Sequence, residues 1–463
     1  MGNTTHKYSS GFSYDRIRSL IADKEARIHF IGIGGVSMYS LARLTLSYGA
    51  SVSGSDREDS PRIRDLSLFG VHINIGHAAE NVIGADLVVF SHAIGEDNPE
   101  LCEAAWQNIP SVSRAEYLGA LMLDYSNRIG ISGSHGKSTT VAMLECIFTH
   151  SGMNPTVLSG SDLTIGSPLR LGSKEILIYE ACEYKDSFIR FSPSIAAALN
   201  LELDHTDYFE NIDALQDSFC RALSRAEQFA LINGDDENLS TIVKDLKSPV
   251  VTFGSGEGND YRYSITGFRK IGYEFTISRF GSVIGCFEIN IPGVFNIHNA
   301  AAAIVIATKY GIDSDVIAEA LSSYRGIGGR LEYIGSRFGR PIYYDYAHHP
   351  TEILASINAL KSLSAESLTV IFKPHTFSRT EALWQEFCEA LSGADHLILT
   401  DIYPAREQQI PGITSKRLAD EIGGGARYCQ DNEVVSFVDS FTKGSIVLMG
   451  AGNLEQIKKE IIK

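Results

Sequence analysis

The feature that most constrains the fold is a strand that runs into a glycine-rich loop and then into a helix. Arg128–Ser132 is a short run typical of a buried strand, and Lys137–Ser151 has helical periodicity. A strand, a glycine loop and a helix in this order are typical of a parallel sheet, in which the helix carries the chain back to the next strand. The chain is therefore predicted to be an α/β protein.

Strands and helices alternate through most of the 463 residues. At about 150 residues per domain, that length predicts three domains. A new strand begins near Asn127, and a glycine-rich segment at 326–329 has the composition of a hinge. The predicted domains are 1–125, 126–329 and 330–463. Three alternating runs between Asp260 and Ile291 predict a small antiparallel insert in the second domain.

Composition and charge exclude several classes of protein. A net charge of −16 argues against nucleic acid as a partner. The longest apolar run noted, Ala300–Ala307, is too short to span a membrane. Met1–Ser19 has no apolar core of a signal peptide, and residues 1–24 are predicted to be a polar arm. The seven cysteines show no CxxC spacing, which favours reduced thiols and a cytoplasmic location.

A first glycine cluster, 32–37, follows a predicted strand and opens a helix. Such a turn lets a diphosphate reach backbone N–H groups at a helix N-terminus, here around Gly34. Asp56 stands 22 residues further on, near the expected place of a ribose-binding acid. Ser37 replaces the third glycine of the dinucleotide fingerprint. A diphosphate ligand such as a UDP-sugar is therefore favoured over NAD or FAD, and a purely structural turn stays open.

The second glycine cluster predicts a phosphate-binding P-loop. Ile131 stands where the strict motif has its first glycine, but the glycine loop, lysine, hydroxyl and helix follow in the right order. Backbone N–H groups of such a loop cradle phosphates, Lys137 meets the β- and γ-phosphates, and the Ser138 hydroxyl can bind Mg²⁺. The predicted nucleotide-binding residues are Gly133, Ser134, His135, Gly136, Lys137, Ser138 and Thr139.

Polar residues at the ends of later strands are candidates for metal and substrate binding. Glu180 and His205 follow successive strands beside the P-loop and are favoured as ligands of Mg²⁺, although a cap or surface role is open. His348 lies in a strand-end loop before a helix, where the alternative is a capped turn. His375 and Arg379 follow another strand and could bind a carboxylate. Parallel strands bring such loops to one crevice.

The sequence motifs, in their order along the chain, resemble those of the Mur ligases. They are GIGG at 32–35, GSHGKSTT at 133–140, EACEYKDSF at 180–188, NLELDHTDYF at 200–209, FNIHNAAAA at 295–303, DYAHHPTE at 345–352, KPHTFSRT at 373–380 and MGAGN at 449–453. The resemblance extends from about His29 to Asn453. It implies a UDP-binding Rossmann-like domain, a central P-loop ATPase domain and a C-terminal Rossmann-like domain.

The activity that the resemblance implies is ATP-driven amide formation with Mg²⁺ as cofactor. The opening motif and DYAHHPTE narrow it to two branches of the family. One adds L-alanine to the lactyl carboxylate of UDP-N-acetylmuramate through an acyl phosphate, in peptidoglycan precursor synthesis. The other, a recycling branch, adds a murein tripeptide to the same nucleotide sugar. A nicotinamide-dependent oxidoreductase is the alternative from another class. The protein is expected to be a monomer or a homodimer without membrane or nucleic-acid partners.

Residue roles follow from the same resemblance. Lys137, His205 and His348 are the expected catalytic residues, with Ser138, Glu180 and His205 as metal ligands. Nucleotide contacts are expected from Asn296 and Asn299 (adenine) and from Arg330 and Asp345 (phosphates and ribose). The amino-acid pocket is expected to contain His348, His375 and Arg379. The UDP moiety is expected to face Gly34, Ser37, Ser55, Asp56, His72, Ser91 and Arg114. Many relatives have arginine where this chain has Thr376, so Arg379 is expected to act with less help.

Overall fold

The computed structural model describes residues 12–462 apart from 207, 270, 364–365, 406, 442 and 453. Residues 1–11 of the predicted arm and Asn453 of the last motif lie outside the described residues. The strands form three sheets, of five, ten and six strands. The predicted α/β class is confirmed, with a Rossmann-like unit at each end of the chain and a P-loop unit between them. The predicted boundaries at 125 and 329 stay predictions, although the strands of each sheet fall within one predicted domain.

The N-terminal unit contains α1 (Tyr14–Ala22), β1 (Arg27–Ile31), α2 (Val36–Tyr48), β2 (Ser51–Asp56), α3 (Pro61–Leu68), β3 (His72–Ile75), β4 (Leu87–Phe90), α4 (Pro99–Trp106), β5 (Ser111–Ser113) and α5 (Arg114–Leu121). Its sheet has the order β3-β2-β1-β4-β5, and every pair is parallel. The carboxyl ends of the strands therefore share one edge, where ligands of such sheets bind.

The central unit contains β6 (Asn127–Ser132), α6 (Lys137–His150), β7 (Thr156–Leu158), β8 (Leu169–Arg170), β9 (Ile176–Glu180), β10 (Ile195–Ala198), α7 (Ile212–Leu223), β11 (Phe229–Asn233), α8 (Glu237–Ile242), β12 (Val250–Gly254), β13 (Tyr261–Phe268), β14 (Tyr273–Arg279), β15 (Ser282–Ile289), α9 (Phe295–Lys309) and α10 (Ser314–Ser323). Its order is β15-β14-β13-β12-β11-β10-β6-β9-β7-β8. The predicted antiparallel insert is confirmed as β13–β15, and it extends the central sheet because β13 pairs with β12 in parallel.

The C-terminal unit contains β16 (Glu332–Arg337), β17 (Arg340–Asp345), α11 (Pro350–Leu363), β18 (Leu368–Phe372), α12 (Phe377–Ala382), α13 (Trp384–Leu391), β19 (His396–Leu399), α14 (Ser415–Ile422), β20 (Arg427–Tyr428), α15 (Val434–Asp439), β21 (Ser445–Met449) and α16 (Glu455–Ile461). Its sheet has the order β16-β17-β21-β18-β19-β20, and only the edge strand β16 is antiparallel. Short 3₁₀ segments lie at Ala79–Val82, Met122–Asp124, Tyr184–Arg190, Val243–Asp245 and Asp431–Glu433.

Burial explains two stretches of the sequence. The apolar run Ala300–Ala307 is buried throughout, because α9 packs against both the central sheet and the neighbouring helix α6. The expectation of a polar arm over 1–24 is wrong for its described part, since Tyr14–Ala22 is a helix capped by Ser13. Ile17 and Ile21 of that helix are buried, and Tyr14 and Leu20 pack beside them, so the apolar residues do follow the spacing of an amphipathic helix. None of the described helices is long and apolar enough to cross a membrane.

Candidate functional site

A first cavity of about 750 Å³ opens between the N-terminal sheet and the central unit. Five of the predicted substrate residues line it: Gly34, Ser37, Asp56, Ser91 and Arg114. The start of α2 faces this cavity, and its N-cap Gly35 has no side chain with which to cap the helix. Asp56 accepts a hydrogen bond of 2.8 Å from the Gly34 N–H and so closes the glycine turn. This end of α2 therefore offers backbone donors and a positive helix end to an anion.

Two of the residues predicted to face the UDP moiety do not line the first cavity. His72 begins β3, whereas the cavity lies at the carboxyl ends of the strands, so the prediction for His72 is corrected; His77, after the strand, lines the cavity instead. Ser55 is fully buried beneath the cavity and donates a hydrogen bond of 2.6 Å to Glu100. Its position supports the site from behind and gives no direct contact with a ligand.

The P-loop adopts a conformation that only glycine permits at two positions. Gly133 has φ 137° and Gly136 has φ 84°. A Cβ on Gly136 would lie 2.3 Å from Asn299 Oδ1. Close approach to α9 and a left-handed backbone therefore both require glycine here. The loop runs directly into α6, whose first residues Lys137, Ser138 and Thr139 are the predicted phosphate and metal contacts.

Lys137 is held at the inner end of the first cavity. Its ammonium donates to the backbone carbonyls of Gly133 and Ser134 and lies 3.2 Å from both oxygens of Glu183. Burial opposes its charge, but the Glu183 carboxylate outweighs this effect and holds the pKa of Lys137 above its ordinary value. Lys137 is therefore a fixed cation where the P-loop meets the first cavity.

A second cavity, of about 350 Å³, lies on the other side of the P-loop, between the central and C-terminal units. Predicted nucleotide-binding residues that line it are His135, Gly136, Thr139, Asn296, Asn299, Arg330 and Asp345. Apolar side chains complete its wall, among them Tyr324, Ile327 and Leu331. Gly133, Ser134 and Ser138 lie in the loop and helix start between the two cavities and line neither. The P-loop thus borders both spaces.

Polar groups in the second cavity are held in place by their own partners. Asn299 donates a hydrogen bond of 3.1 Å to Asn296, which donates one of 2.7 Å to the Pro292 carbonyl. Asp345 accepts hydrogen bonds of 2.8 Å from Ser356 and from the Ala347 N–H. Burial raises the pKa of Asp345 to about 6.

Beside the P-loop, residues of the central and C-terminal units form a histidine–arginine cluster, made of Asp204, His205, His348, His375 and Arg379. Arg379 donates a hydrogen bond of 2.8 Å to Asp204 and lies 3.1 Å from His375 Nδ1. The rings of His348 and His375 are 5.9 Å apart. His348 Nδ1 lies 3.0 Å from the Tyr346 carbonyl, to which it can only donate, so Nε2 carries the lone pair. The three predicted amino-acid-binding residues are thus brought together.

The predicted metal ligands are placed differently from one another. Glu180 accepts hydrogen bonds from Ser159 and the Gly160 N–H on the wall of the first cavity. His205 Nε2 lies 3.7 Å from Glu183 Oε1. His205 also has φ 54°, a strained conformation of the kind that clusters at functional sites. Glu183, between Lys137 and His205, was not among the predicted site residues.

Comparison with known proteins identifies the family. Three family models match: the Mur ligase family catalytic domain over residues 27–126, the Mur ligase middle domain over 131–307 and the Mur ligase glutamate ligase domain over 329–452. The chain is 40% identical to a UDP-N-acetylmuramate–L-alanine ligase of Caldanaerobacter subterraneus subsp. tengcongensis, over 95% of this chain and 98% of that one. The chain belongs to the Mur ligase family. Mur ligases form amide bonds at the expense of ATP, and this chain is such an enzyme.

Solved structures agree with the fold of this Mur ligase. The crystal structure of a UDP-N-acetylmuramate–alanine ligase from Thermotoga maritima matches with a TM-score of 0.81 and 25% identity, over 94% of this chain and 98% of that one. A murein peptide ligase from Psychrobacter arcticus matches with a TM-score of 0.71 and 22% identity, over the same shares of the two chains. The second likeness shows the fold alone.

The histidine–arginine cluster predicts a pH-dependent stability of this Mur ligase. Burial and the Arg379 charge lower the pKa of His348 and of His375 to about 4. In the unfolded chain both imidazoles have a pKa of about 6.5. Between about pH 6.5 and 4 the unfolded state therefore binds more protons than the folded state. The free energy of unfolding is therefore expected to fall as the pH falls through this window. Calorimetric melting at a series of pH values measures it.

A double variant provides the control for this pH dependence. His348→Gln with His375→Gln removes both buried imidazoles, so the melting temperature is expected to fall less steeply between about pH 6.5 and 4. Asp204 still contributes in the same direction, because Arg379 holds its pKa below the ordinary value although burial opposes this. An unchanged slope in the double variant would contradict the assignment.

Proposed function

We propose that this Mur ligase joins L-alanine to the lactyl carboxylate of UDP-N-acetylmuramate with hydrolysis of ATP to ADP and phosphate, in peptidoglycan precursor synthesis. The observation that carries the proposal is the position of the P-loop between two cavities. His135, Gly136 and Thr139 line the second cavity, and Lys137 lines the first. A phosphoryl donor and a carboxylate acceptor bound on either side would meet at one lysine.

ATP fits the second cavity. Asn296 and Asn299 supply fixed amides that can hydrogen-bond the edges of adenine, while Tyr324, Ile327 and Leu331 supply apolar walls for its faces. Arg330 and Asp345 lie on the C-terminal side for the phosphates and the ribose. The γ-phosphate would then approach the N-terminus of α6, where Gly136 keeps the backbone open and Lys137 stands.

UDP-N-acetylmuramate fits the first cavity. Its diphosphate would lie at the N-terminus of α2, next to Gly34 and Ser37, with Arg114 and Ser91 as further polar contacts. The cavity extends from there to Lys137, Glu180 and the Tyr184 loop. A lactyl carboxylate at this far end would reach the lysine ammonium. The space thus matches a long substrate with a nucleotide at one end and a carboxylate at the other.

L-Alanine fits the histidine–arginine cluster. Asp204 and Arg379 present a carboxylate and a guanidinium 2.8 Å apart, which complement the ammonium and carboxylate of a free amino acid. The low pKa of His348 keeps its imidazole neutral, so its Nε2 can accept a hydrogen bond from the amine. We assign amine orientation to His348 and carboxylate binding to Arg379 and His375.

Mg²⁺ is the proposed metal cofactor, and the donors present fit it. A hydroxyl on Ser138, the carboxylate of Glu180 and the imidazole of His205 lie around the lysine end of the first cavity, and the Glu183 carboxylate adds a fourth candidate ligand. Mg²⁺ prefers oxygen ligands and keeps several waters and phosphate oxygens, so a few protein ligands suffice. When bound, it neutralises negative charge on the phosphates during phosphoryl transfer.

The reaction then needs two displacements. A carboxylate oxygen attacks the γ-phosphorus, the bridging bond to ADP breaks, and an acyl phosphate forms. The alanine nitrogen attacks the acyl carbon, the amine proton is lost, and the carbon–oxygen bond to phosphate breaks. Lys137 brings the two anions together in the first step and stabilises the departing phosphate in the second. All of these residues belong to one chain, so the site is complete in a monomer or in each half of a homodimer.

The test is ADP release by purified protein with Mg-ATP and UDP-N-acetylmuramate, together with L-alanine, glycine, L-serine or the murein tripeptide. We expect release that requires the nucleotide sugar and is fastest with L-alanine. Release only with the tripeptide would support the recycling branch instead. Eight curated relatives named UDP-N-acetylmuramate–L-alanine ligase favour the first outcome. The oxidoreductase alternative is not favoured.

A further inference from the structure

Three potential metal ligands from separate segments meet beside the P-loop. They are His135 in the loop itself, Glu202 after β10 and His349 just before α11. His135 Nε2 lies 3.4 Å from Glu202 Oε2, and His349 Nδ1 lies 3.5 Å from the same oxygen. Within the described ranges, this is the one group of three or more His, Cys, Asp or Glu ligand atoms that converge to within 4.8 Å.

Two of the three separations between candidate ligand atoms match a tetrahedral ion of the zinc class, and the third, between the histidine nitrogens, is within 4.8 Å. Such an ion binds histidine nitrogen at about 2.0–2.1 Å and carboxylate oxygen at about 2.0–2.2 Å. Neighbouring ligand atoms of a tetrahedron with these bond lengths lie about 3.4 Å apart. The separations from Glu202 Oε2 to both histidine nitrogens agree with this value. Two imidazoles with one carboxylate suit zinc better than magnesium, which prefers oxygen ligands.

A second set of hydrogen bonds orients the candidate ligands. Glu352 Oε1 lies 3.1 Å from His135 Nδ1, on the side of the ring away from Glu202. A carboxylate that accepts from the second ring nitrogen is the usual support of a metal-binding histidine, because it leaves the lone pair on the other nitrogen. The Thr351 hydroxyl donates a hydrogen bond of 2.6 Å to Glu202 Oε2. Both supports come from the first turn of α11.

We propose that His135, Glu202 and His349 form a binding site for a zinc-class transition-metal ion, separate from the magnesium site around Ser138, Glu180 and His205. His135 and Glu202 belong to the central unit and His349 to the C-terminal unit, so the ion would tie the two units together. Because His135 and Glu202 also line the second cavity, the fourth position faces the nucleotide space. An occupied site would hinder the relative movement of the units and slow turnover.

The test is titration of the full chain with Co²⁺ in excess Mg²⁺ and without substrates. The excess of Mg²⁺ is added to fill the proposed magnesium site, and tetrahedral Co²⁺ absorbs visible light far more strongly than octahedral Co²⁺. We expect one equivalent of Co²⁺ to give the intense tetrahedral bands and Zn²⁺ to abolish them. His349→Gln and Glu202→Gln are expected to lose these bands. Glu352→Gln, which removes a supporting carboxylate, is expected to weaken binding by about 10–100-fold.

A matched control is His150→Gln. His150 also pairs with a glutamate, at 3.3 Å from Glu319, and is expected to leave the Co²⁺ spectrum unchanged. Melting curves confirm that each variant is folded. Absence of tetrahedral bands in the natural chain would overturn the proposal. So would their persistence in both His349→Gln and Glu202→Gln, which would place the ion elsewhere. No substrate takes part, so the result is independent of the proposed ligase reaction.

Discussion

Replacing Lys137 by methionine is expected to lower kcat at least about 10³-fold, the range found when one cation is removed from a phosphoryl-transfer site. The ammonium is the charge that stands between the two cavities, and methionine keeps the length of the side chain without it. Binding of UDP-N-acetylmuramate is expected to change little, since the diphosphate contacts lie at the other end of the first cavity. Turnover by ADP release and binding by calorimetry measure the two effects separately.

Two controls accompany the Lys137 variant. Lys361→Ala removes a lysine that pairs with Asp395 at 2.9 Å outside both cavities, and it is expected to leave kcat unchanged. Lys137→Met with Glu183→Gln removes the lysine together with its buried counter-ion, and its melting temperature, compared with that of the single variant, measures the cost of the unpaired carboxylate. Loss of nucleotide-sugar binding in the folded single variant would contradict the placement of the two substrates.

Replacing Arg379 by alanine is expected to raise KM for L-alanine about 10²-fold. The variant loses the guanidinium that is proposed to bind the carboxylate of L-alanine. KM for ATP is expected to change much less, since Arg379 does not line the second cavity. Arg379→Lys keeps the positive charge beside Asp204 but loses the forked donor pair, so an intermediate KM is expected. Steady-state kinetics with each substrate varied in turn measure the two KM values separately.

The matched control for Arg379 is Arg337→Ala. Arg337 also belongs to the C-terminal unit and pairs with an aspartate, Asp439, but it lies outside both cavities. This variant reports the general effect of breaking an arginine–aspartate pair, and its KM for L-alanine is expected to stay unchanged. Equal effects of the two variants on that KM would remove Arg379 from the amino-acid site.

Sequence predicted the parts of the site that lie on single strand–loop–helix units. Gly136 and Lys137 stand at the end of the short loop after β6, and Asp345 ends β17, so local pattern places them at the carboxyl edges of parallel sheets. Asn296 and Asn299 were predicted only from the family resemblance. Two asparagines near the start of a helix do not by themselves indicate a binding site. His72 was misplaced because β3 is a short edge strand whose bounds the pattern does not show.

Side-chain pairs between different units could not be predicted from the sequence. Asp204 and Arg379 are 175 residues apart, and only the packing of the C-terminal sheet on the central one brings them to 2.8 Å. The same holds for Glu202 and His349. Glu183 belongs to the motif at 180–188, but only the structure shows that its carboxylate pairs with the Lys137 ammonium. Which side chains of different units form pairs depends on how whole sheets pack against each other. The residue spacing within one segment does not predict these pairs.

The most direct test of the central claim uses UDP-N-acetylmuramate with ¹⁸O in both oxygens of its lactyl carboxylate. With unlabelled ATP and L-alanine, mass spectrometry of the products follows the label. If the carboxylate attacks the γ-phosphorus at Lys137, the alanyl product retains one labelled oxygen and the released phosphate carries the other. Alanyl product formed with unlabelled phosphate, or no alanyl product at all, would contradict the account.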